Sequence, residues 1–267
     1  MKLDGCAAVI TGASAGIGRE LARQLAGRAR LLVLVARRRN RLEKLRSELL
    51  RVNEALQVEI REVDLSNLEQ TVQVAGWVAN EPIDFLVNNA GLGDHGSFTT
   101  ADPARVNEQI QVNALALTAL TRAVLPRMIA QKRGAILNVS SSAGFLPLPD
   151  LAVYAATKAY VTSFSEAIRA ETRGLGITVT ALCPGPVHTE FAQVADREQQ
   201  MRKIRSSPVH VSVEEVARAG LSAIERDKAL AVPGIAIKIV MTIVRALPSA
   251  VLRAAWRFSG TNKIDAK

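Results

Sequence analysis

The sequence predicts an α/β fold, a Rossmann-like doubly wound parallel sheet of about seven strands with helices on both faces. A C-terminal amphipathic helical extension follows. Two observations carry this expectation. Short apolar runs alternate with helical patterns for most of the 267 residues, as right-handed βαβ crossovers require. Hydrophobic residues make up 48% of the chain but aromatics only 4%. The core must therefore be Ala, Val, Leu and Ile, which suits helices packed closely on a parallel sheet.

In chain order, Cys6–Thr11 reads as a buried strand and Ile17–Ala26 as a helix. Leu31–Ala36 is the next strand, followed by a charged helix over Arg41–Val52. Further strands fall at Val58–Val63, Phe85–Asn88, Ala135–Val139 and Ile177–Leu182, with a short last one at Ala229–Val232. No Gly-, Ser- or Pro-rich linker and no internal repeat divides the chain. The expected organisation is one domain over residues 1–233 and an extension over 234–267.

The formal charge is +9, from 34 basic and 25 acidic residues. Such a balance suits nucleic acid, an anionic membrane or a phosphate-rich ligand. One basic cluster runs from Arg19 to Arg51, the other from Lys238 to Lys267. The first carries no interleaved aromatics that would stack on bases and the second only Trp256 and Phe258 beside Arg257, so nucleic acid is not expected as a partner. Cys6 and Cys183 sit at apolar runs with no CxxC or Cys/His cluster, which reads as two reduced core thiols in a cytoplasmic protein. The segment Met1–Gly5 enters a strand directly, without the apolar core of a signal peptide.

The first strand leads into Thr11-Gly12-Ala13-Ser14-Ala15-Gly16-Ile17-Gly18. Glycines here let the backbone turn sharply, and the following helix offers N–H groups and a positive dipole end to a pyrophosphate. A tight turn alone uses glycines too. Gly12–Gly16 also matches G-x-S-x-G, the nucleophile elbow of serine hydrolases, with His188 and His210 as nominal partners of Ser14. That rival leaves Gly18 unexplained and puts the elbow unusually early. After the second strand the run is Val35-Ala36-Arg37-Arg38-Arg39, with no acid for the adenine ribose hydroxyls. An arginine fork suits a 2′-phosphate instead, so NADP(H) is expected, with Arg37 the leading contact and Arg38 the second. A solvated basic loop is the plainer alternative.

Tyr154 and Lys158 stand at i and i+4, on one face of a helix. An ammonium near a phenol favours the phenolate and lowers a reference pKa of about 10 toward the working range. Such a tyrosine exchanges a proton with a developing alkoxide. By itself the spacing also describes an ordinary surface pair.

Its context is a set of motifs in order: TGASAGIG at 11–18, Asp64, Asn88-Asn89-Ala90-Gly91, Asn113, Ser141 thirteen residues before Tyr154, Lys158, and Pro184-Gly185-Pro186-Val187-His188-Thr189. Over about residues 5 to 232 the chain resembles the short-chain dehydrogenase/reductase family. The resemblance implies that Tyr154 is the general acid/base and that Lys158 lowers its pKa and holds the nicotinamide ribose. It implies that Ser141 orients the substrate oxygen, and that Asn113 marks a helix whose altered backbone holds a relay water. Gly12, Ser14, Ala15, Gly16, Ile17 and Gly18 would cradle the pyrophosphate. Asp64 and Leu65 would meet the adenine, Asn89, Ala90 and Gly91 would line the cleft, and Pro184, Gly185, Val187 and Thr189 would bind the carboxamide end. The run Ser140-Ser141-Ser142 leaves register to be decided; the spacing and Gly144 select Ser141.

The implied activity is hydride transfer between nicotinamide and a ketone or secondary alcohol. Phe145, Leu146, Leu148 and Leu151 suggest a lipophilic carbonyl, such as a 3-oxoacyl or steroid-like one. Substrate contacts are expected from Gly93–Phe98, Phe145–Leu151 and the segment after Thr189, which often forms a lid in the family. No metal site is expected. A non-catalytic NADP sensor would need none of the proton-transfer residues. The family also implies a homodimer or homotetramer.

Ile235–Phe258 draws a polar stripe through Lys238, Thr242, Arg245, Ser249, Arg253 and Arg257, with Pro248 expected to kink it. Ile239, Val240, Ile243, Val244, Leu247, Val251 and Trp256 lie opposite. Packing on the domain or a partner copy, covering a long substrate, and lying peripherally on an anionic membrane are the three readings of that face.

Overall fold

A computed structural model of the chain describes residues 1–187, 189–195 and 211–247. Among them lies a seven-stranded sheet of order β3-β2-β1-β4-β5-β6-β7, parallel throughout. The strands are β1 (Ala7–Thr11), β2 (Leu31–Ala36), β3 (Gln57–Glu62), β4 (Phe85–Asn88), β5 (Gly134–Val139), β6 (Ile177–Leu182) and β7 (Leu230–Ala231). They fall where the apolar runs place them, within the residue or two by which element ends vary.

Strands β1, β2, β4, β5 and β6 are buried along their whole length because helices cover both faces. Alternate residues point to opposite layers. Ala8 and Ile10 of β1 join α1 (Gly16–Leu25), α2 (Arg39–Val52) and α8 (Val213–Glu225) through Leu21, Leu45 and Val216. Ala7 and Val9 face α3 (Leu68–Asn80) and α5 (Leu117–Ala130) through Val74, Leu120 and Val124. β3 is the exception; at the sheet edge it alternates, with Val58 buried and Gln57 and Glu59 exposed. A charged face on an edge strand also deters pairing with another sheet.

Between α4 (Pro103–Ile110) and α5 the chain forms a π-helical turn over Gln111–Ala116. The longest helix, α6 (Ala152–Glu171), lies beside that turn, and the short α7 (Glu190–Ala195) follows β6.

The last described helix is α9 (Ile235–Ala246). Its buried residues are Ile237 and Met241, whereas Ile239, Val240 and Ile243 of the face opposite the polar stripe are exposed. Arg245 of the polar stripe adds a second tether. Arg245 lies over the Phe145 ring at 5.3 Å and pairs with Glu166 at 3.4 Å. Pro248, Ser249, Val251, Arg253, Trp256 and Arg257 lie outside the described residues.

Candidate active site

Strand order reverses between β1 and β4, where the chain runs outward to β2 and β3 on one side and to β5–β7 on the other. Loops leaving the carboxyl ends there diverge and open a crevice. The cleft holds about 950 Å³ and runs from Gly12 past Arg37 and Asp64, then by Ala90, to Ser141 and Tyr154.

Its floor is locked by one threonine and one asparagine. Thr11 Oγ1 accepts from the backbone N–H of Asn89 at 2.9 Å and of Ala90 at 3.0 Å. Asn89 Nδ2 donates back to Thr11 O at 2.9 Å. The β1 turn thus lies against the β4 turn with no room for a side chain at Gly12. A Cβ there would stand 2.8 Å from Asn89 Nδ2, and its φ of +65° is a left-handed value. Helix α1 begins after Ala15, whose side chain offers no cap. Its first turn therefore faces the cleft with donors for an anion.

The basic end follows β2. Arg37 Nη1 is 3.8 Å from Asp64 Oδ2, while Asp64 Oδ1 accepts from Ser66 N and Oγ at 2.9 and 2.7 Å. Arg38 donates to Ser14 Oγ at 3.2 Å and to Glu190 at 3.0 Å. Leu65 is buried beneath the cleft wall. An uncapped helix start, a backbone pressed close by glycine and two guanidiniums at the far end form a donor set that fits a dinucleotide. The rival role of Ser14 loses support, because its hydroxyl accepts from a guanidinium that cannot take up a proton. His188 and His210 lie outside the described residues.

At the other end, α6 presents Tyr154 and Lys158 one turn apart. Lys158, 4% exposed, donates from Nζ to Val139 O at 2.8 Å and lies 5.7 Å from the Tyr154 ring centre. The three serines divide their work. Ser140 Oγ donates to Lys158 O at 2.8 Å and Ser142 N donates to Pro184 O at 2.8 Å, while Ser141 Oγ accepts from Ala143 N at 3.1 Å and is the serine that acts on the Tyr154 phenol. The 3₁₀ turn carrying Ser141 (Ser142–Phe145) presses on α6, and a Cβ at Gly144 would lie 2.7 Å from Lys158 C.

Asn113 sits in the π-turn with its side chain fully engaged. Oδ1 accepts from Leu92 N at 2.8 Å, and Nδ2 donates to Leu92 O at 2.9 Å and Thr157 Oγ1 at 3.0 Å. It ties the loop after β4 to α6 and faces Gly91 beside Lys158 Nζ.

The expected lowering of the Tyr154 pKa is corrected. Burial pushes the phenol up to about 12, with the Ser141 hydrogen bond pulling the other way. Burial also brings Lys158 down to about 8. The ammonium stands toward the ring and is held on the Val139 carbonyl, so desolvation decides both groups.

Val187 pairs with Val211 in an isolated bridge, and Thr189 packs close to Gly16. Pro184 and Gly185 line the cleft between them and Tyr154. Beyond Thr189, Phe191 of α7 packs its ring 5.3 Å from that of Tyr154. The lining there is apolar, with Leu146, Leu148, Leu151, Val194 and Met241. Phe191, Glu190 and Met241 were not singled out from sequence. Phe191 is one aromatic in a polar segment, with no periodic partner to mark it. Phe145 and Phe98, expected at the substrate, do not line the cleft; Phe145 lies under Arg245 and Phe98 is exposed. Arg202, Lys203 and Arg205 of the expected lid lie outside the described residues. Among the described residues no group of acidic, His and Cys side chains could hold a metal ion.

A parallel sheet with a dinucleotide-shaped cleft at its switch point, ending on a Ser–Tyr–Lys set, defines a class of nicotinamide-dependent oxidoreductases. The chain belongs to the short chain dehydrogenase family, whose model matches residues 6–200. A very-long-chain 3-oxoacyl-CoA reductase from Bos taurus is 35% identical over 193 residues, 70% of this chain. The match spans only 61% of that relative's length. Among solved structures, a short-chain dehydrogenase from Sphingobium yanoikuyae in complex with NADPH is 30% identical, with a TM-score of 0.81 over 98% of both chains. A short-chain dehydrogenase/reductase from Burkholderia phymatum in complex with NAD is 26% identical, with a TM-score of 0.80 over 91% of this chain and 93% of that one.

Proposed function

We propose that this oxidoreductase uses NADP(H) and reduces a lipophilic ketone, a long-chain 3-oxoacyl thioester being the leading class. The observation that carries the reading is that Ser141 and Tyr154 line the apolar end of a cleft whose other end carries Arg37 and Arg38. When bound, the nicotinamide supplies or takes up the hydride.

The chain's own residues supply the rest. Ser141 donates to the carbonyl oxygen and orients it. Tyr154, which holds its proton at neutral pH and which burial keeps protonated to higher pH still, gives that proton to the oxygen as negative charge develops there. The Lys158 ammonium, 5.7 Å from the ring, stabilises the tyrosinate left behind in this low-dielectric pocket. Asn113 holds the backbone around that pair. Phe191 and Leu148 exclude water from the reacting atoms. Arg37 and Arg38, with no carboxylate at the end of β2, support a 2′-phosphate over a free ribose hydroxyl. The apolar lining and the name of the bovine relative support the substrate class.

The test is NADPH consumption over ketones and 3-oxoacyl thioesters of increasing length, with Tyr154→Phe beside wild type. Tyr154→Phe is expected to lose turnover by at least about a hundredfold while NADPH still quenches protein fluorescence. Retained turnover above a tenth of wild type overturns the role of Tyr154.

A further inference from the structure

Glu190 opens α7 and reaches back across the cleft to the basic loop after β2. Its carboxylate accepts from Arg38 Nη1 at 3.0 Å and from Arg41 Nη1 at 2.6 and 2.7 Å. The two guanidiniums hold its pKa below the usual carboxylate range, Arg41 most strongly. The contacts join residues some 150 positions apart. Arg41 does not itself line the cleft, but Arg38 and Glu190 do.

The cluster thus pairs a single carboxylate with two forks at the place where a 2′-phosphate is expected. We infer that Glu190 is a resident competitor for the 2′-phosphate of the cofactor, that the phosphate displaces it, and that Arg41 is a third phosphate contact beside Arg37 and Arg38. This rests on the NADP(H) reading above. All three side chains are two-fifths exposed, so the pair is screened and weak. A phosphate brings about twice the charge and three acceptor oxygens to the same forks, and wins the exchange.

The displacement has a second consequence. Phe191, the next residue, is the ring packed on Tyr154. Releasing Glu190 frees the start of the helix that covers the reacting end. Glu190 therefore couples recognition of the phosphate to the position of α7, making it a specificity-determining residue rather than a catalytic one.

The probes are adenosine 2′,5′-bisphosphate and 5′-AMP, which carry the adenosine half alone. Their binding to the full chain is measured by calorimetry. Glu190→Gln is expected to bind the bisphosphate about fivefold more tightly, and Arg41→Ala about tenfold more weakly, with 5′-AMP unchanged in both. In wild type the bisphosphate, and not 5′-AMP, should speed amide exchange over residues 190–195. Glu190→Gln should show that faster exchange with no ligand. If Glu190→Gln binds the bisphosphate no more tightly while Arg37→Ala binds it more weakly, this proposal falls and the NADP(H) reading stands. If wild type binds both nucleotides alike, both fall.

Discussion

Lys158 is a charge the fold keeps at a cost. Its ordinary pKa is 10.5 and burial lowers it to about 8. The unfolded chain therefore binds more protons at this site between about pH 8 and 10.5, and stability should rise with pH across that window. Below pH 8 both states are protonated and the burial penalty is present in full. Lys158→Met keeps the volume and removes the charge, though it leaves the Val139 carbonyl without its donor. We expect the variant to be more stable at pH 7 by about 1–2 kcal/mol, to lack the rise with pH, and to lose turnover. Urea melts at pH 7 and 9.5 check this; a destabilised variant at pH 7 would contradict it. The same shift sets the pH profile of ketone reduction. The ammonium is lost as pH rises through about 8, while Tyr154 keeps its proton to about 12. Reduction rates should be level from pH 6 to 7.5 and fall above 8. A rate still rising at pH 9 would mean Lys158 is not needed as a cation. The spacing of Tyr154 and Lys158 is legible in the sequence; the direction of the tyrosine shift is not. Two groups four residues apart share a helix face, but burial depends on α7 and the Ser141 turn, which come from elsewhere in the chain.

The elements around the site show where local signals suffice. Strands β2, β4 and β6 occupy the ranges their apolar runs predict, because a run covered on both faces carries its own signature. Which of three adjacent serines meets Tyr154 is decided by packing. Ser140 points to α6, Ser142 starts the next turn, and Ser141 is left at the phenol. That register depends on the turn lying against the α6 backbone at Gly144. Gly144→Ala should push it away, costing about 1–3 kcal/mol of stability. The variant should lose more turnover than NADPH affinity, since the phosphate end is untouched. A stability and rate equal to wild type would mean that the turn gives way freely. The π-turn at Gln111–Ala116 had only Asn113 as a clue. The widening accompanies an asparagine side chain that bonds outward to Leu92 and Thr157, contacts without a local pattern. The same limit explains α9. Its polar stripe is legible, but not that Arg245 leaves it to lie over Phe145 and pair with Glu166 while Lys238 and Thr242 stay exposed.

Across the molecule, the site is built where six strand ends and two later helices converge. The apolar end of the cleft joins Leu146 and Leu148 from the loop before α6, Val194 from α7 and Met241 from α9. A chain of methylenes entering this surface is removed from water. We therefore expect kcat/KM for 3-oxo substrates to rise by roughly fourfold per added methylene until the cleft is filled. Flat values across chain lengths would argue for a small ketone instead. Such a cleft is a property of the assembly, since Leu148, Val194 and Met241 come from separate stretches of the chain.

The sequence by itself determined the layer architecture, the glycine turn after the first strand, and the spacing of Tyr154 and Lys158. Periodicity, turn chemistry and short motif spacings are local, so they can be read along the chain. Only the tertiary structure decided that Glu190 bridges Arg38 and Arg41, that Phe191 covers Tyr154, and that burial sets both pKa values. These depend on desolvation and on contacts across as many as 152 residues, for which a linear pattern carries no signal.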